Sequence, residues 1–208
     1  MTPNLRLFPK AVACPLIATL LLAATPDASA QTQAQVKIRS VDIAAQKTPG
    51  FQAANVTEKR FKARDWLELE VEFEGKLSDR DQDFIQSLTF KYYLILNPKN
   101  RDEIRTLASE ITYQNIPVDE KVFSVAYVSP MAIQKITGNK SFSKSEVTFW
   151  GVEILYGGEV VGTESSNGKP WWTSEQAPPQ QTGIILRKGE TPFAPLWGDY
   201  HVDEAEKS

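Results

Sequence analysis

The sequence predicts a mostly β domain, built as an antiparallel sandwich with one short helix. Apolar and polar residues alternate with a period of two in one segment after another, which is the pattern of half-buried strands. These segments recur about every dozen residues, between clusters of turn-forming residues. No helical pattern is placed to form the crossover connections that a parallel sheet requires.

The amino-terminal segment has the three parts of an export signal. It consists of a basic start at residues 6–10, an apolar run over residues 11–24, and a small-residue exit that ends at Ala30. Pro15 interrupts the run, whereas a membrane span needs about 20 continuous apolar residues. We therefore predict a signal peptide over residues 1–30, cleaved after Ala30. The mature chain is expected in the periplasm, on the outer surface or in the medium, without an integral membrane span.

Removing that signal also removes Cys14, the one cysteine of the chain. The mature chain can then form no disulfide, so its stability must come from a hydrophobic core that its length is sufficient to build. Arg6, Lys10 and Asp27 leave as well, which reduces 23 basic and 26 acidic residues to 21 and 25. Such an acidic balance gives no basic field for a polyanion, so nucleic acid and anionic membranes are poor partners.

The first predicted strands follow in order along residues 31–198, which we predict as one domain. Residues 36–43 alternate but shift phase at Ser40, which indicates a bulge or bend. Residues 67–74 form the clearest strand, because their apolar residues alternate with four glutamates. Residues 88–96 carry apolar side chains at every second position, and a turn follows them.

The next part of the chain adds further strands and the helix. Residues 100–108 fit helical spacing, but residues 110–116 are rich in β-branched side chains, and we favour a strand overall. Residues 122–128 form another strand. Ser129 can cap a short helix that Gly138 can end.

The most distinct local pattern is a β-hairpin. Residues 147–156 are apolar at nearly every position, as expected of a central strand that is covered on both faces. Gly157-Gly158 supplies a two-residue turn into a strand over residues 159–163. A short strand over residues 183–186 brings the total to about seven or eight, which favours an immunoglobulin-like sandwich over a barrel.

The chain ends in a charged segment, residues 199–208, which we predict to be a flexible tail. It contains His201, the only histidine, beside Asp203 and Glu204. A catalytic base or metal ligand must be held by a second group, so the simplest interpretation of His201 is a solvated residue. Zinc sites and histidine-dependent triads therefore lack their usual groups.

Carboxylates are the main remaining groups that could support catalysis or bind a metal. Glycosidases use paired carboxylates across a cleft, but the evenly spaced glutamates of residues 68–74 lie on an outward strand face, where solvation is expected. The alternate aspartates of residues 79–83 offer calcium the hard oxygen ligands it prefers, yet they lack the glycine and distal glutamate of an EF-hand loop. We predict no enzyme activity, no catalytic residue, no cofactor and no bound metal.

Aromatic residues in the proline-rich part of the chain are the best candidates for a binding surface. They are Trp171, Trp172, Phe193 and Trp197. Indole faces stack on sugar rings or anchor protein partners at low entropic cost. Two hypotheses follow, a protein interaction surface and a carbohydrate-binding module that uses Trp171 and Trp172. The competing interpretation of that pair is packing at the edge of the sandwich.

Three stretches of the chain resemble a known protein family. They are residues 110–117 (EITYQNIP), 123–130 (FSVAYVSP) and 190–197 (ETPFAPLW). The chain is similar there to exported immunoglobulin-like proteins of Verrucomicrobial gut bacteria, which are encoded beside type IV pilus-like genes. The resemblance implies no catalytic set and a noncatalytic role in pilus assembly or surface attachment. The partners it implies are pilus or envelope assembly proteins, with self-association as a further option.

Overall fold

The computed structural model describes residues 33–52, 54–55, 57, 59–79 and 81–206. The predicted signal peptide lies outside the described residues. Within them, ten strands, one α-helix and four short 3-10 turns follow one another. In chain order the strands and the helix are β1 (Ala34–Lys47), β2 (Asp65–Leu77), β3 (Phe84–Leu96), β4 (Thr106–Pro117), β5 (Lys121–Val128), α1 (Pro130–Thr137), β6 (Val147–Tyr156), β7 (Glu159–Ser165), β8 (Gln180–Gln181), β9 (Ile185–Arg187) and β10 (Asp203–Glu204).

The strands divide between two sheets that pack as a sandwich. The first sheet has the order β1-β2-β5-β9, and the second has the order β10-β4-β3-β6-β7. Only β8, which pairs with the start of β4, runs parallel to its described neighbour. The antiparallel, immunoglobulin-like sandwich that the alternation predicted is thereby confirmed. The longer strands match the predicted number, and β8, β9 and β10 have only two or three residues each.

The core lies between the sheets and contains a buried polar link. Tyr113 of the second sheet donates its hydroxyl hydrogen to the Val125 carbonyl of the first at 2.8 Å, and accepts from the Val125 amide at 3.2 Å. The hydroxyl of Tyr92 lies 3.0 Å from that of Tyr113 and donates to Ser124 Oγ at 3.0 Å. Buried hydroxyls are costly to leave unpaired, so this network fixes how the sheets face each other.

Several local predictions are confirmed. The pairing of β1 with β2 shifts register between Ile38 and Ser40, where the bulge was expected. The side chain of Ser129 caps α1, and Gly138 ends it with a φ of 81°. Gly157-Gly158 connects β6 to β7, with φ angles of 58° and 88° that side-chain-bearing residues rarely adopt.

One further local prediction is confirmed and one needs correction. The strand favoured for the ambiguous region is present and begins at Thr106, after a single 3-10 turn at Arg101–Glu103. The expectation that β6 is covered on both faces is wrong at its start, where Phe149 is 37% exposed. An apolar run does not by itself distinguish a fully covered strand from one whose end leaves the core.

The predicted flexible tail is also wrong over the residues that the structure describes. Asp203–Glu204 pairs with β4, and the Val202 amide donates to the Phe123 carbonyl at 2.9 Å. The Ala205 amide donates to the Thr112 carbonyl at 2.9 Å. We call residues 188–206 the C-terminal strap, and the domain therefore continues past residue 198. Its two-residue strand is too short to produce a recognisable alternation in the sequence.

Candidate functional site

The candidate site lies on the outer face of the first sheet, where the strap crosses it. The even-numbered residues of β2 point to this face, because the odd-numbered ones are buried in the core. Glu68 and Glu70 of β2 pair in register with Tyr127 and Val125 of β5. The strap covers this part of the sheet with aromatic side chains.

Phe193 anchors the strap. Its side chain is 1% exposed, and its ring stacks on that of Tyr127 with centroids 4.6 Å apart. The Trp66 ring lies nearly perpendicular to it, with the centroids 5.7 Å apart. Phe193 was predicted as part of an interaction surface, and that prediction is wrong, because this ring holds the strap on the sheet.

Trp197 and Tyr200 are the aromatic residues that the strap leaves accessible, 42% and 46% exposed respectively. The Trp197 carbonyl accepts from the amides of Tyr200 and His201 and from Lys188 Nζ, at 3.1 to 3.2 Å. Trp197 has a φ of 55°, a left-handed conformation that is uncommon for a bulky residue and marks a locally constrained turn. Tyr200 stacks on Phe123 at 4.3 Å, so both exposed rings are positioned by their surroundings.

Beneath these rings lies a pocket of about 270 Å³. It is lined by Gln46, Glu68, Glu70, Trp197, Tyr200 and His201. Of these, only Trp197 was predicted as a binding residue. The alternation of β2 located the glutamates on an outer face, but nothing in the sequence pattern places the strap against them.

The two pocket carboxylates are hydrogen-bonded by neutral groups. Tyr200 donates to Glu70 at 3.2 Å, and Tyr127 donates to Glu68 at 2.8 Å. Burial raises the pKa of both carboxyls, and the neighbouring acidic charges, with Asp42 common to both, raise it further. Among the residues that the structure describes, no lysine or arginine forms an ion pair with either glutamate.

The other two glutamates of β2 have cationic partners. Glu74 pairs with Arg39, and Glu72 lies 3.6 Å from Lys121 Nζ. The expectation that the row is solvated is wrong, because the side chains of Glu70 and Glu72 are each only 24% exposed and that of Glu74 only 14%. Glu68 and Glu70 differ from the other two in lining the pocket under the strap and in having no lysine or arginine partner among the described residues.

His201 is buried rather than solvated, contrary to the prediction. Its side chain lines the pocket, and Nε2 lies 3.2 Å from Glu70 Oε2. Nδ1 has no hydrogen-bond partner within the described part of the chain. An imidazolium would leave a buried N–H donor unpaired there, so the neutral ring that donates from Nε2 is favoured. Burial, together with the charge of Lys188, lowers the pKa of His201 to about 4.

The unpaired charge of Glu70 predicts a stability effect. Glu70→Gln should raise the free energy of unfolding at pH 7 by a few tenths to about 1 kcal/mol. Glutamine still accepts from Tyr200 but carries no buried charge. A raised pKa means that the folded state binds a proton more tightly than the unfolded state. The contribution of Glu70 to the stability of the wild type is therefore lost as the pH rises above 4.5, the ordinary pKa of this carboxyl group. Below pH 4.5 the stability gain of Glu70→Gln should disappear.

Urea denaturation of wild type and variant at several pH values measures this gain. Glu72→Gln is the matched control, since Glu72 has a cationic partner, and it should show no gain at pH 7. His201 affects the stability of all three proteins in the opposite direction to Glu70. Because the pKa of His201 is lowered, the free energy of unfolding falls as the pH decreases from 6.5 toward about 4. A Glu70→Gln protein that is less stable than the wild type at pH 7 would contradict the conclusion that the Glu70 charge destabilises the fold.

The other predicted aromatic pair does not form an exposed platform. Trp172 is 6% exposed and stacks on Tyr93 at 4.7 Å, with the ring planes 10° apart. Trp171 is half-buried and donates from Nε1 to the Trp150 carbonyl at 3.2 Å. The two indole planes are 85° apart, so they offer no common face to a sugar ring. The geometric basis of the carbohydrate-binding hypothesis is therefore wrong, and the pair packs against the second sheet.

The aspartate loop considered for calcium is occupied by local hydrogen bonds. Asp79 accepts from the Asp81 amide at 3.1 Å and from Gln82 Nε2 at 3.0 Å. Across the described residues, no group of three or more histidine, cysteine, aspartate or glutamate side chains could hold a metal ion.

In the same residues no helix is both long and apolar enough to span a bilayer.

Comparisons with known proteins extend the resemblance seen in the sequence. A crystal structure of a protein from Akkermansia muciniphila superposes with a TM-score of 0.76 and 27% sequence identity, covering 86% of this chain and 96% of that chain. Akkermansia is a Verrucomicrobium, the bacterial group to which the resemblance pointed. No curated protein matches the chain. A protein-family model matches residues 27–208, and the chain therefore belongs to the family that this model describes.

Proposed function

We propose that the protein is a noncatalytic interaction component of the cell envelope, acting in a type IV pilus-like system. The observation that carries this proposal is the pair of exposed aromatic rings, Trp197 and Tyr200, on a strap fixed to the sandwich. The family membership and the similarity to the Akkermansia protein support it. The pilus context rests on the sequence resemblance. The expected location, periplasmic or on the surface, rests on the predicted export signal.

The strap fixes the positions of the exposed rings in the unbound protein. Phe193 fixes it on one side of Trp197, and strand pairing of Asp203–Glu204 fixes it beyond Tyr200. An ion pair of 2.9 Å between Arg187 and Glu204 adds to this attachment. Large, preorganised aromatic side chains contribute most of the binding energy in many protein interfaces, because little conformational entropy is lost when they are covered.

The arrangement of the carboxylates supports a noncatalytic role. In glycosidases, the acid and the base or nucleophile stand on opposite sides of the scissile bond. Glu68 and Glu70 instead lie two positions apart on the same face of one strand. Each also accepts a hydrogen bond from a tyrosine hydroxyl. We therefore expect no glycoside hydrolysis by the purified domain.

Crosslinking and pulldown from envelope extracts test the proposal. Wild-type protein should recover pilus or envelope assembly proteins, and Trp197→Asn should recover at least roughly tenfold less, as expected when an interface hot spot is lost. Asparagine tolerates the left-handed backbone at this position, so the strap should keep its path. The control is Phe84→Ala, which removes a ring that is 55% exposed at the start of β3.

Two results would count against the proposal. One is the recovery of no pilus or envelope component by the wild-type protein under repeated conditions. The other is equal loss of recovery in Trp197→Asn and Phe84→Ala, which would show that the Trp197 surface is not the contact. Recovery of the protein itself alone would instead indicate self-association.

A further inference from the structure

We infer that the pocket under Trp197 and Tyr200 receives a basic side chain, lysine or arginine, from a partner polypeptide. Glu68 and Glu70 would bind its charged end, and the two rings would contact its stem. This inference rests on the proposed function and specifies the chemistry of the partner. Four observations support it: the acidic charge of the pocket, its aromatic rim, its neutral histidine and the exposed apolar surface of Trp197 and Tyr200 beyond it.

The pocket has negative charge that no lysine or arginine of the described residues neutralises. The charged neighbours that act on Glu70 are Glu68, Asp42 and Glu72, and all of them are acidic. Asp42 is itself neutralised by Lys144 at 3.0 Å, and Glu72 by Lys121 at 3.6 Å. Carboxylates that are partly removed from water without a cation are unfavourable, and an entering cation would offset that penalty.

The rim of the pocket suits an organic cation. Tryptophan and tyrosine rings attract an ammonium or guanidinium group that lies over their faces within about 6 Å. Trp197 and Tyr200 both line the pocket and remain accessible. The methylene stem of a lysine or arginine can also pack against these rings while its charged end reaches the carboxylates. A small hydrated metal ion would make no use of these apolar surfaces.

The only histidine does not supply the missing charge. His201 is 7% exposed, lines the pocket, and has a buried Nδ1 without a hydrogen-bond partner in the described residues. Lys188, the single lysine of the strap, donates to the Trp197 carbonyl rather than to either glutamate. Of the two basic residues that the strap contributes within the described residues, His201 is thus neutral and Lys188 is engaged elsewhere.

A side chain within a polypeptide fits the site better than a free amine. Trp197 and Tyr200 extend beyond the pocket, and a small amine would leave those apolar surfaces exposed to water. A polypeptide can cover them with residues that flank the basic side chain. The inference therefore assigns the cation to a protein partner.

Nuclear magnetic resonance of the mature protein tests this assignment directly. The indole N–H signal of Trp197, assigned with Trp197→Asn, is followed during titration with the peptides Phe-Lys-Phe and Phe-Arg-Phe. All four peptides are N-acetylated and C-amidated, so that the side chain is the only group that can be charged, and the neutral controls are Phe-norleucine-Phe and Phe-citrulline-Phe. We expect the basic peptides to shift this signal saturably and at least roughly tenfold more tightly than their neutral counterparts, because the carboxylates bind only the charged group.

Variants separate the roles of charge and surface. Glu70→Gln should weaken binding of the basic peptides by roughly five- to tenfold. Glu72→Gln is the matched control and should leave it nearly unchanged. Since Glu70→Gln is expected to stabilise the fold, weaker binding in that variant cannot be attributed to unfolding. Ethylammonium chloride serves as the free-amine probe and should bind more weakly than either basic peptide.

Three results would overturn the inference. They are equal shifts with the neutral peptides, unchanged affinity in Glu70→Gln, and binding of ethylammonium as tight as that of the peptides. Failure here leaves the proposed function testable on its own. If Trp197→Asn still abolishes partner recovery while the peptides do not bind, the surface is an interface but the pocket takes no basic side chain.

Discussion

Phe193→Ala should lower the free energy of unfolding by about 3–5 kcal/mol. Phe193 is almost completely buried between the rings of Tyr127 and Trp66, so alanine would lose this packing and leave a cavity under the strap. Urea denaturation, followed by circular dichroism, measures the change. Phe61→Ala is the matched control, because Phe61 is 62% exposed and its loss should change stability by no more than about 0.5 kcal/mol.

The same substitution should also loosen the strap before the rest of the sandwich unfolds. Hydrogen exchange at the amides of Val202 and Ala205, which bond to Phe123 and Thr112, should become faster relative to the amides of β3. The Trp197 signal should shift as well, because its ring stacks on Phe193 at 6.1 Å. Unchanged exchange at these two amides would show that strand pairing alone holds the strap.

Gly151→Ala should destabilise the domain by about 1–3 kcal/mol, with the upper end expected. A Cβ atom at position 151 would lie 2.0 Å from Cζ3 of Trp172 and 2.4 Å from Cε3. The indole cannot move away easily, because it is stacked on Tyr93, the residue opposite Gly151 in β3. Displacing Trp172 would expose a large apolar ring and open the loop that carries it.

Urea denaturation and near-ultraviolet circular dichroism measure this second effect. Gly50→Ala is the control, since a Cβ atom there would meet nothing within 4 Å and its backbone lies outside the left-handed region. Gly151→Ala should lower the denaturation midpoint and reduce the aromatic dichroism, whereas Gly50→Ala should do neither. Equal midpoints for the two variants would contradict the assigned packing of Trp172.

Local patterns predicted the framework of the fold correctly. The alternation in residues 67–74 and 88–96 placed β2 and β3 with the correct faces toward the core. Gly157-Gly158 identified the hairpin, and Ser129 with Gly138 identified both ends of α1. Each of these signals depends on neighbours within a few residues, so it can be recognised without knowledge of the rest of the chain.

The candidate site could not be predicted in the same way. Tyr200 donates to Glu70 across 130 positions of sequence, and His201 reaches it across 131. The strap is attached by the buried rings of Phe193 and His201, an ion pair and a two-residue strand, none of which produces a periodic pattern. The charged composition of residues 199–208 therefore predicts a flexible tail instead.

The sequence and the tertiary structure thus determine different properties of the protein. The sequence alone determined the β class, the strand faces and the row of outward glutamates, because alternation and turn formation are local properties of the backbone. Only the tertiary structure showed that Phe193 and Trp172 are buried, and that the strap desolvates Glu68 and Glu70 beneath Trp197. Burial and pKa depend on which distant segments exclude water from a group, and that is decided by the packing of the whole domain.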